Sequence, residues 1–173
     1  GSNPFRRLAF EFGFSVAADA RTYGMKTPWF IEKAVLEPFK HNLGSQLRLV
    51  ITTLKPLPPR VQHILRTMLG VPVIQLYGTA ETSGVISIQR VSDDSTSSAG
   101  TPTTACEICF RDFSKSTMKV ANGESGELLV RGPLLFSGYY RNKKANNEAF
   151  VEPGGWFATG DLVTIRDDGG ISI

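Results

Sequence analysis

Residues 71–84 read VPVIQLYGTAETSG, in which an apolar run passes directly into a polar, glycine-containing turn. The apolar part, residues 71–76, predicts a strand buried inside a sheet. Residues 47–52 predict an earlier strand that is buried on both faces, as in a parallel sheet. Between the two strands, residues 58–70 carry apolar side chains at helical spacing and end on a glycine. The sequence therefore predicts a right-handed β-α-β unit whose ligand-binding edge lies at the carboxyl ends of its strands.

Two helices are predicted ahead of this unit. Residues 3–21 carry apolar side chains three or four positions apart, which predicts a helix with one apolar face made of Phe5, Leu8, Phe12 and Val16. A second helix is expected to begin at Thr27, with its hydroxyl capping free amides and Pro28 in the first turn, and to end at residues 42–44. Its buried stripe is expected to consist of Phe30, Ala34 or Val35, and Phe39.

The second half of the chain changes character after a polar loop at residues 92–100. Short strands are predicted at residues 107–113, 126–131 and 161–173, the last broken by a hairpin at 167–170, and a helix is predicted at 142–150. The predicted fold class is α/β: part of a parallel-sheet α/β subdomain over residues 1–91, followed by a small antiparallel, β-barrel-like subdomain over residues 92–173.

The composition excludes several classes of protein. Of 173 residues, 41% are hydrophobic and 20% are charged, which fits a globular protein and excludes disordered and fibrous chains. Residues 1–90 carry 11 Lys and Arg against 5 Asp and Glu, whereas residues 91–173 carry 8 against 11. Because the basic residues are scattered singly, we expect a solvated surface and no nucleic-acid partner. No apolar run approaches the roughly 18 residues of a membrane span, and no secretory leader is expected.

Two cysteines, Cys106 and Cys109, have the two-residue gap of half a zinc site. No second Cys or His pair follows them, and positions i and i+3 of a strand point to opposite faces. We therefore expect these cysteines to pack in the fold, with no metal or redox role. Two cysteines also cannot frame a disulfide-rich fold, which fits a reducing compartment.

The turn after the second strand carries side chains that suit a nucleotide. Tyr77 can stack on a flat ring, Gly78 lets the backbone approach a ligand, and hydroxyls beside the Glu81 carboxylate can hold phosphate oxygens and magnesium. Asp161, in a Thr-Gly-Asp turn, can accept hydrogen bonds from both hydroxyls of a ribose. The residues alone equally allow a polar turn leaving a sheet and a turn aspartate that binds local amides.

Taken in order, four blocks resemble the adenylate-forming (AMP-binding) superfamily, and within it the long-chain acyl-CoA synthetases. They are Tyr-Gly-x-x-Glu-Thr at 77–82, GELLVRGP at 126–133, SGYYRN at 137–142 and GGWFATGDL at 154–162. The resemblance implies a fatty acid–CoA ligase that uses ATP and Mg²⁺ to form an acyl-adenylate and then transfers the acyl group to CoA. It further implies a middle fragment of the family's amino-terminal domain that ends before the hinge and is inactive by itself.

The resemblance also assigns roles to residues of the turn. Tyr77 is expected to stack on adenine, Glu81 to hold magnesium, and Asp161 to bind the ribose. Gly78 and Thr82 are expected to line the junction between the nucleotide and acyl pockets. The resulting candidates are Glu81 and Thr82 as catalytic residues, Glu81 as the metal ligand, and Tyr77, Gly78, Thr79 and Asp161 as nucleotide-binding residues.

Two departures from the family pattern leave the activity open. Ala80 stands where the family has a threonine that contacts phosphate, and Thr79 next to it is expected to point elsewhere. Thr53 and Leu54 stand where glycines let adenine and substrate lie against the backbone. A catalytically degenerate protein that binds acyl groups or nucleotides, or acts as a scaffold, is therefore the alternative to an enzyme. Relatives acting on aryl or amino acids are a further alternative.

The expected partners are small molecules: a fatty acid, ATP and CoA. The resemblance places the whole protein inside the cell, either in the cytoplasm or attached peripherally to a membrane.

Overall fold

The structure of the chain is a computed structural model that describes residues 4–44, 46–111, 118–119, 125–151 and 154–173. The chain divides into two compact units. The first comprises Gly1–Val50 and Pro58–Val73, and the second comprises Ile51–Leu57 and Ile74–Ile173. The second unit contains all of the candidate site residues.

The first unit is built from helices. They are α1 (Pro4–Thr22), α2 (Trp29–Ile31), a π-helical turn (Glu32–Leu36), α3 (Glu37–Leu43) and α4 (Pro59–Leu69). Their shared core consists of Ala17, Ile31, Leu36 and Met68. The expected glycine stop of α4 is confirmed, because Gly70 takes the left-handed conformation at φ +65° and its N–H donates to the Arg66 carbonyl.

Helix α1 is confirmed, but the prediction of its buried face is wrong. Phe5, Leu8 and Phe12 are exposed, and Val16 is only partly buried. The buried positions are the small residues Gly13, Ala17 and Ala20. A Cβ on Gly13 would lie 2.6 Å from the Val35 side chain, so α1 approaches its neighbour too closely for large residues. Close helix packing therefore selects the small-residue face.

The second predicted helix is interrupted by the π-helical turn. Pro38 has no N–H to donate, and its ring would clash with the Ala34 carbonyl in a regular helix. The Glu37 N–H bonds the Glu32 carbonyl instead, five residues back. This wider turn carries one extra residue and therefore shifts which positions face the core downstream.

The predicted buried stripe and N-cap of this helix are wrong. Ile31 and Leu36 are buried, whereas Phe30 and Phe39 are exposed and Val35 is only partly buried. The N-cap is Pro28, with no side-chain cap, so the Thr27 hydroxyl does not have the predicted role.

The two strands of the predicted β-α-β unit belong to a four-stranded sheet. It contains β1 (Val50–Thr52), β2 (Val73–Tyr77), β3 (Ser87–Ile88) and β4 (Thr101–Pro102), in that spatial order. Strands β2, β3 and β4 pair antiparallel. The prediction that the first strand is buried on both faces is wrong, because β1 is three residues long, lies at the edge of this order, and exposes half of Ile51.

The second sheet is antiparallel and confirms the β-rich second half. Its path is β10-β9-β7-β5-β6, with β8 paired to β9. The elements are β5 (Glu107–Arg111), β6 (Met118–Lys119), β7 (Ser125–Arg131), α5 (Lys143–Ala149), β8 (Phe150–Val151), β9 (Trp156–Ile165) and β10 (Ile171–Ser172). Residues 112–113 of the predicted strand lie outside the described residues. The predicted hairpin is confirmed by the Arg166 N–H donating to the Gly170 carbonyl at 2.9 Å.

The core of the second unit joins the two sheets. It contains Tyr77, Ile86, Ala99, Phe110, Leu128, Val130, Val163 and Ile171. The end of β2 is thereby packed against the antiparallel sheet, which fixes the start of the candidate turn. The α/β fold class is confirmed. Within the described residues, none of the helices combines the length and the apolar character required to cross a bilayer.

Candidate functional site

The turn that follows β2 is organised by the hydroxyl of Thr82. Residues Ala80–Thr82 form one 3₁₀ turn, and Thr82 is fully buried. Its Oγ1 accepts the Thr79 N–H at 3.0 Å and lies 3.0 Å from each of two acceptors, the carbonyl oxygens of Thr79 and Gly84. The hydroxyl of this predicted catalytic residue is therefore engaged with backbone of the turn.

Gly78 is required by a close approach within the same turn. A Cβ at this position would lie 2.0 Å from the Gly84 carbonyl oxygen. The turn folds back on itself so tightly that only glycine fits, and this requirement holds whether or not a ligand approaches the backbone here. Ala80 is exposed at the start of the 3₁₀ turn.

The Thr-Gly-Asp segment is a bulge in a continuous strand. Glu127 pairs with Leu162 and Leu129 with Ala158, so one residue of β7 faces three residues of β9. Gly160 takes φ +77°, a conformation that glycine adopts without strain. Such a bulge bends the strand and redirects a side chain. The bulge is what presents Asp161.

Thr159 fixes the shape of this bulge. Its Oγ1 donates to the Leu128 carbonyl at 2.9 Å and accepts the Asp161 N–H at 3.2 Å. Both contacts are local to the bulge, so the threonine of the block has a structural function. Sequence analysis gave Thr159 no role, although its place directly before Gly-Asp was the available signal.

Tyr77 and Asp161 meet although 84 positions separate them. The Tyr77 hydroxyl donates to Asp161 Oδ2 at 2.6 Å. Burial, together with this hydrogen bond to a carboxylate, raises the pKa of the Tyr77 phenol well above its usual value. The phenol therefore stays neutral and holds Asp161 next to the end of β2.

Glu81 is held by a second tyrosine. The Tyr139 hydroxyl donates to Glu81 Oε1 at 2.9 Å, and the Phe136 N–H donates to the Glu81 carbonyl at 2.7 Å. The pKa of Glu81 is lowered, first by its own backbone N–H and then by the Tyr139 hydroxyl. Glu81 is therefore an ionised, partly exposed carboxylate at neutral pH.

Tyr139 was missed as a site residue by sequence reasoning. It lies in the SGYYRN block, which carried the resemblance but no assigned role. Two adjacent tyrosines, Tyr139 and Tyr140, follow the glycine, and only folding shows that the first one reaches Glu81. The contact joins positions 58 residues apart, so no local pattern reveals it.

The donor atoms of the turn fit a magnesium ion that arrives with a nucleotide. Mg²⁺ prefers hard oxygen ligands and is commonly held by one or two carboxylates plus substrate phosphates. Glu81 offers one such carboxylate, and no group of three or more His, Cys, Asp or Glu residues is arranged to hold a metal within the part of the chain that the structure describes. Thr79 Oγ1 is shielded from solvent and lies close enough to the Glu81 carboxylate to help lower its pKa. The described residues therefore do not surround a metal ion by themselves, and a magnesium ion at Glu81 would need phosphate oxygens as further ligands.

Leu54 and the two cysteines lie outside the turn that carries the candidate site residues. Leu54, in the segment after β1, has φ +79° and is 91% exposed, so its side chain points into solvent from a backbone shape that favours glycine. Cys109 is buried in β5, where burial raises the pKa of its thiol. Cys106 Sγ lies 3.8 Å from the Ile86 carbonyl and 3.8 Å from Thr103 Oγ1.

Comparison with known proteins identifies relatives of the chain. Residues 17–140 match the family described as AMP-binding enzyme. The peroxisomal long chain acyl-CoA synthetase 7 of Arabidopsis thaliana is 32% identical over 165 residues, which are 93% of this chain and 23% of that protein. The long-chain-fatty-acid–CoA ligase FadD15 of Mycobacterium bovis is 34% identical over 142 residues, 82% of this chain and 21% of that protein. The chain thus spans about a quarter of the length of these relatives.

Solved structures with the same fold carry adenylates. The anthranilate CoA ligase AuaEII in complex with anthranoyl-AMP has a TM-score of 0.67 and 28% identity, covering 74% of this chain and 24% of that one. The O-succinylbenzoate coenzyme A synthetase MenE of Bacillus subtilis in complex with AMP has a TM-score of 0.65 and 27% identity, covering 79% and 28%. Because the family match extends over more than half of the sequence and includes both the Glu81 turn and Tyr139, this chain belongs to the AMP-binding enzyme family.

Proposed function

We propose that the chain is a segment of an ATP-dependent long-chain fatty acid–CoA ligase. In the first step a fatty acid carboxylate oxygen bonds to the α-phosphorus of ATP, and the bond from that phosphorus to the bridging oxygen breaks, releasing pyrophosphate. In the second step the CoA thiolate attacks the acyl carbon and AMP leaves. The names of the Arabidopsis and Mycobacterium relatives support the choice of a long-chain substrate.

The observation that carries the proposal is the contact between Tyr77 and Asp161. An aromatic ring and a carboxylate meet at the end of β2, the position where α/β sheets collect ligands. A carboxylate held in one orientation can accept hydrogen bonds from both ribose hydroxyls. The Tyr77 ring is 9% exposed and belongs to the core of the second unit, so the proposed contact with adenine is confined to the exposed part of the ring. The pair therefore has the chemistry of a nucleoside site.

The remaining candidates have proposed roles consistent with their contacts. Glu81 would hold a magnesium ion, which neutralises phosphate charge when bound. The Thr79 hydroxyl, which also acts on the Glu81 carboxylate, would contact a phosphate oxygen beside it. Thr82 and Gly78 would act by holding the turn in shape. For Thr82, we therefore propose a positioning role in place of the direct substrate contact that the resemblance implies.

Release of pyrophosphate tests the proposal. The full-length protein that carries this segment is incubated with ATP, Mg²⁺ and fatty acids from 8 to 20 carbons, with and without CoA. We expect release with at least one acid of 12 carbons or more, and loss of release in an Asp161→Ala variant. An Asp168→Ala variant, altered in the exposed β9–β10 hairpin, is the matched control. Absence of release with every acid would contradict the proposal.

A degenerate protein that binds nucleotides or acyl groups without reacting them is the second candidate. Ala80 and Leu54 favour it, because each replaces a residue that the family pattern uses at the substrate. Titration calorimetry with a non-hydrolysable acyl-adenylate distinguishes the two candidates. Tight binding together with pyrophosphate release supports the ligase, whereas binding of ATP or acyl-adenylate without release supports the degenerate protein.

The finer features of the proposal concern the whole protein. We propose that residues 1–91 end the nucleotide- and acyl-binding subdomain, that residues 92–173 form the small β subdomain, and that this segment alone does not turn over. We also propose an intracellular location, either in the cytoplasm or peripheral on a membrane. Fractionation of cells expressing the full-length protein tests the location, and assay of the isolated 173-residue chain tests its inactivity.

A further inference from the structure

Two hydrogen bonds from one segment reach Glu81. The Phe136 N–H donates to the Glu81 carbonyl at 2.7 Å, and the Tyr139 hydroxyl donates to Glu81 Oε1 at 2.9 Å. One bond fixes the backbone of the 3₁₀ turn and the other fixes the carboxylate. The segment from Phe136 to Tyr139 therefore controls both the position and the orientation of Glu81.

Tyr139 is itself fixed by its neighbours. The Tyr139 N–H donates to Asn146 Oδ1 at 2.6 Å, and Asn146 Nδ2 donates back to the Tyr139 carbonyl at 3.1 Å. The Tyr139 ring packs edge-on against Phe136, with centroids 4.8 Å apart. A Cβ on Gly138, at φ +125°, would lie 3.0 Å from Asn146, so the glycine lets α5 approach. These contacts fix the position of the Tyr139 phenol.

We propose that Tyr139 is a positioning residue, which orients the Glu81 carboxylate toward the magnesium ion of a bound nucleotide. This inference rests on the proposed function. An ionised carboxylate has about four lone-pair sites, so the hydrogen bonds from its own N–H, from Tyr139 and from Thr79 still leave capacity for a cation. A glutamate on a partly exposed turn otherwise samples several rotamers, and holding it in one removes an entropy cost of binding. Partners that orient metal ligands in this way commonly change metal affinity 10- to 100-fold.

The matched pair of variants is Tyr139→Phe and Tyr140→Phe in the full-length protein. Each removes one hydroxyl and keeps the ring. Tyr140 is 84% exposed, and its ring face packs on Arg141. Its hydroxyl has no part in the proposed contact between Tyr139 and Glu81. Binding of Mn²⁺, used as a paramagnetic probe, is measured by electron paramagnetic resonance in the presence of ATP. We expect the Mn²⁺ dissociation constant to rise about 10-fold for Tyr139→Phe and less than twofold for Tyr140→Phe.

A second readout separates positioning from general damage. The Mg²⁺ concentration that gives half-maximal pyrophosphate release should rise about as much as the Mn²⁺ dissociation constant, while the rate at saturating Mg²⁺ changes less than twofold. Asn146→Ala, which releases the backbone of Tyr139 but keeps its hydroxyl, should weaken Mn²⁺ binding in the same direction by a smaller factor. Thermal unfolding of each variant shows whether it is folded.

The outcomes distinguish this inference from the proposed function. If the wild-type protein binds Mn²⁺ only weakly, whether or not ATP is present, the assignment of Glu81 to a nucleotide-bound metal fails, and the inference fails with it. If the wild-type protein binds Mn²⁺ with ATP and Tyr139→Phe binds it as tightly as Tyr140→Phe, the proposed function stands and the positioning role is overturned.

Discussion

The Tyr77 hydroxyl lies 2.6 Å from Asp161 Oδ2, and this hydrogen bond connects the end of β2 to the bulge in β9. A neutral phenol donating to a carboxylate forms one of the stronger neutral-to-charged hydrogen bonds in proteins. Because the ring is also part of the core between the two sheets, the contact serves stability and the candidate nucleotide site together.

Replacement of Tyr77 by phenylalanine should produce a pH-dependent loss of stability. The pKa of Tyr77 is raised in the folded state, so its contribution is fully present below the unfolded pKa of about 10 and is lost as the pH rises above that value. We expect Tyr77→Phe to be about 1–2 kcal/mol less stable at pH 8, with the difference from wild type shrinking above pH 10. Urea unfolding from pH 8 to 11 measures both. A difference independent of pH would contradict the assignment.

The backbone at Leu54 predicts a stabilising substitution. A non-glycine residue in the left-handed region costs about 1–2 kcal/mol, and the exposed Leu54 side chain contributes little packing in return. Glycine removes that cost but has greater freedom in the unfolded chain, which offsets part of the gain. We expect Leu54→Gly to gain about 0.5–1 kcal/mol, and Leu54→Val, which is β-branched, to be less stable than wild type. The denaturant midpoint should be highest for Leu54→Gly, intermediate for the wild type and lowest for Leu54→Val.

The segments that sequence predicted correctly are those governed by local rules. Gly70 ends α4, Asn142 caps α5 by accepting the Ala145 N–H at 3.1 Å, and residues 167–170 form the hairpin. Each depends on a residue type and its immediate neighbours, which the sequence displays directly. Local rules also predicted helix α4 from the apolar spacing of residues 58–70. They likewise predicted the strands at residues 107–111 and 126–131.

The features that sequence missed depend on partners distant in the chain. The buried face of α1 was assigned to large residues, whereas the approach of Val35 to Gly13 selects small ones. The bulge that presents Asp161 appears only in the register between β7 and β9. The contact between Tyr77 and Asp161 is consistent with the roles that the family resemblance implies, but no periodicity relates the two positions, so no local pattern predicts it.

The ion pair between the partly exposed Arg111 and the buried Glu127 should respond non-additively to substitution. The two residues are opposite each other on β5 and β7, and Arg111 Nε donates to Glu127 Oε2 at 2.8 Å. Glu127 is nearly fully buried, so Arg111→Leu leaves a buried carboxylate without this partner and should cost about 3 kcal/mol. The double variant Arg111→Leu/Glu127→Leu removes the charge as well and should be more stable than the single variant. Urea unfolding of the complete double-mutant cycle measures this, and additive losses would contradict it.

Thr82 offers a test of turn shape against direct contact. Thr82→Val keeps the volume but removes the hydroxyl that organises the turn, and should cost about 2 kcal/mol by leaving backbone groups without their partner. Thr82→Ser keeps the hydroxyl and should recover most of that loss. Nucleotide affinity, measured by calorimetry, should follow the same order as stability. A Thr82→Ser variant that is as weak as Thr82→Val would indicate that the methyl group, and not the hydroxyl, is what matters.

Ala80 provides the sharpest test of whether the family chemistry is intact. It is exposed at the start of the 3₁₀ turn, so a larger side chain there needs no repacking, whereas the neighbouring Thr79 hydroxyl is shielded from solvent. If phosphate charge develops next to this turn, Ala80→Thr adds a donor where one such group is commonly worth 100- to 1,000-fold in rate.

We expect at least a 10-fold faster pyrophosphate release from Ala80→Thr in the full-length protein, because a site adapted to alanine recovers only part of that effect. Ala80→Val adds nearly the same bulk without a hydroxyl and should show no gain. Equal rates for the threonine and valine variants would mean that position 80 does not face the reacting phosphate. A gain confined to threonine would mean that the native alanine limits adenylation, so the protein retains a working site with one contact removed.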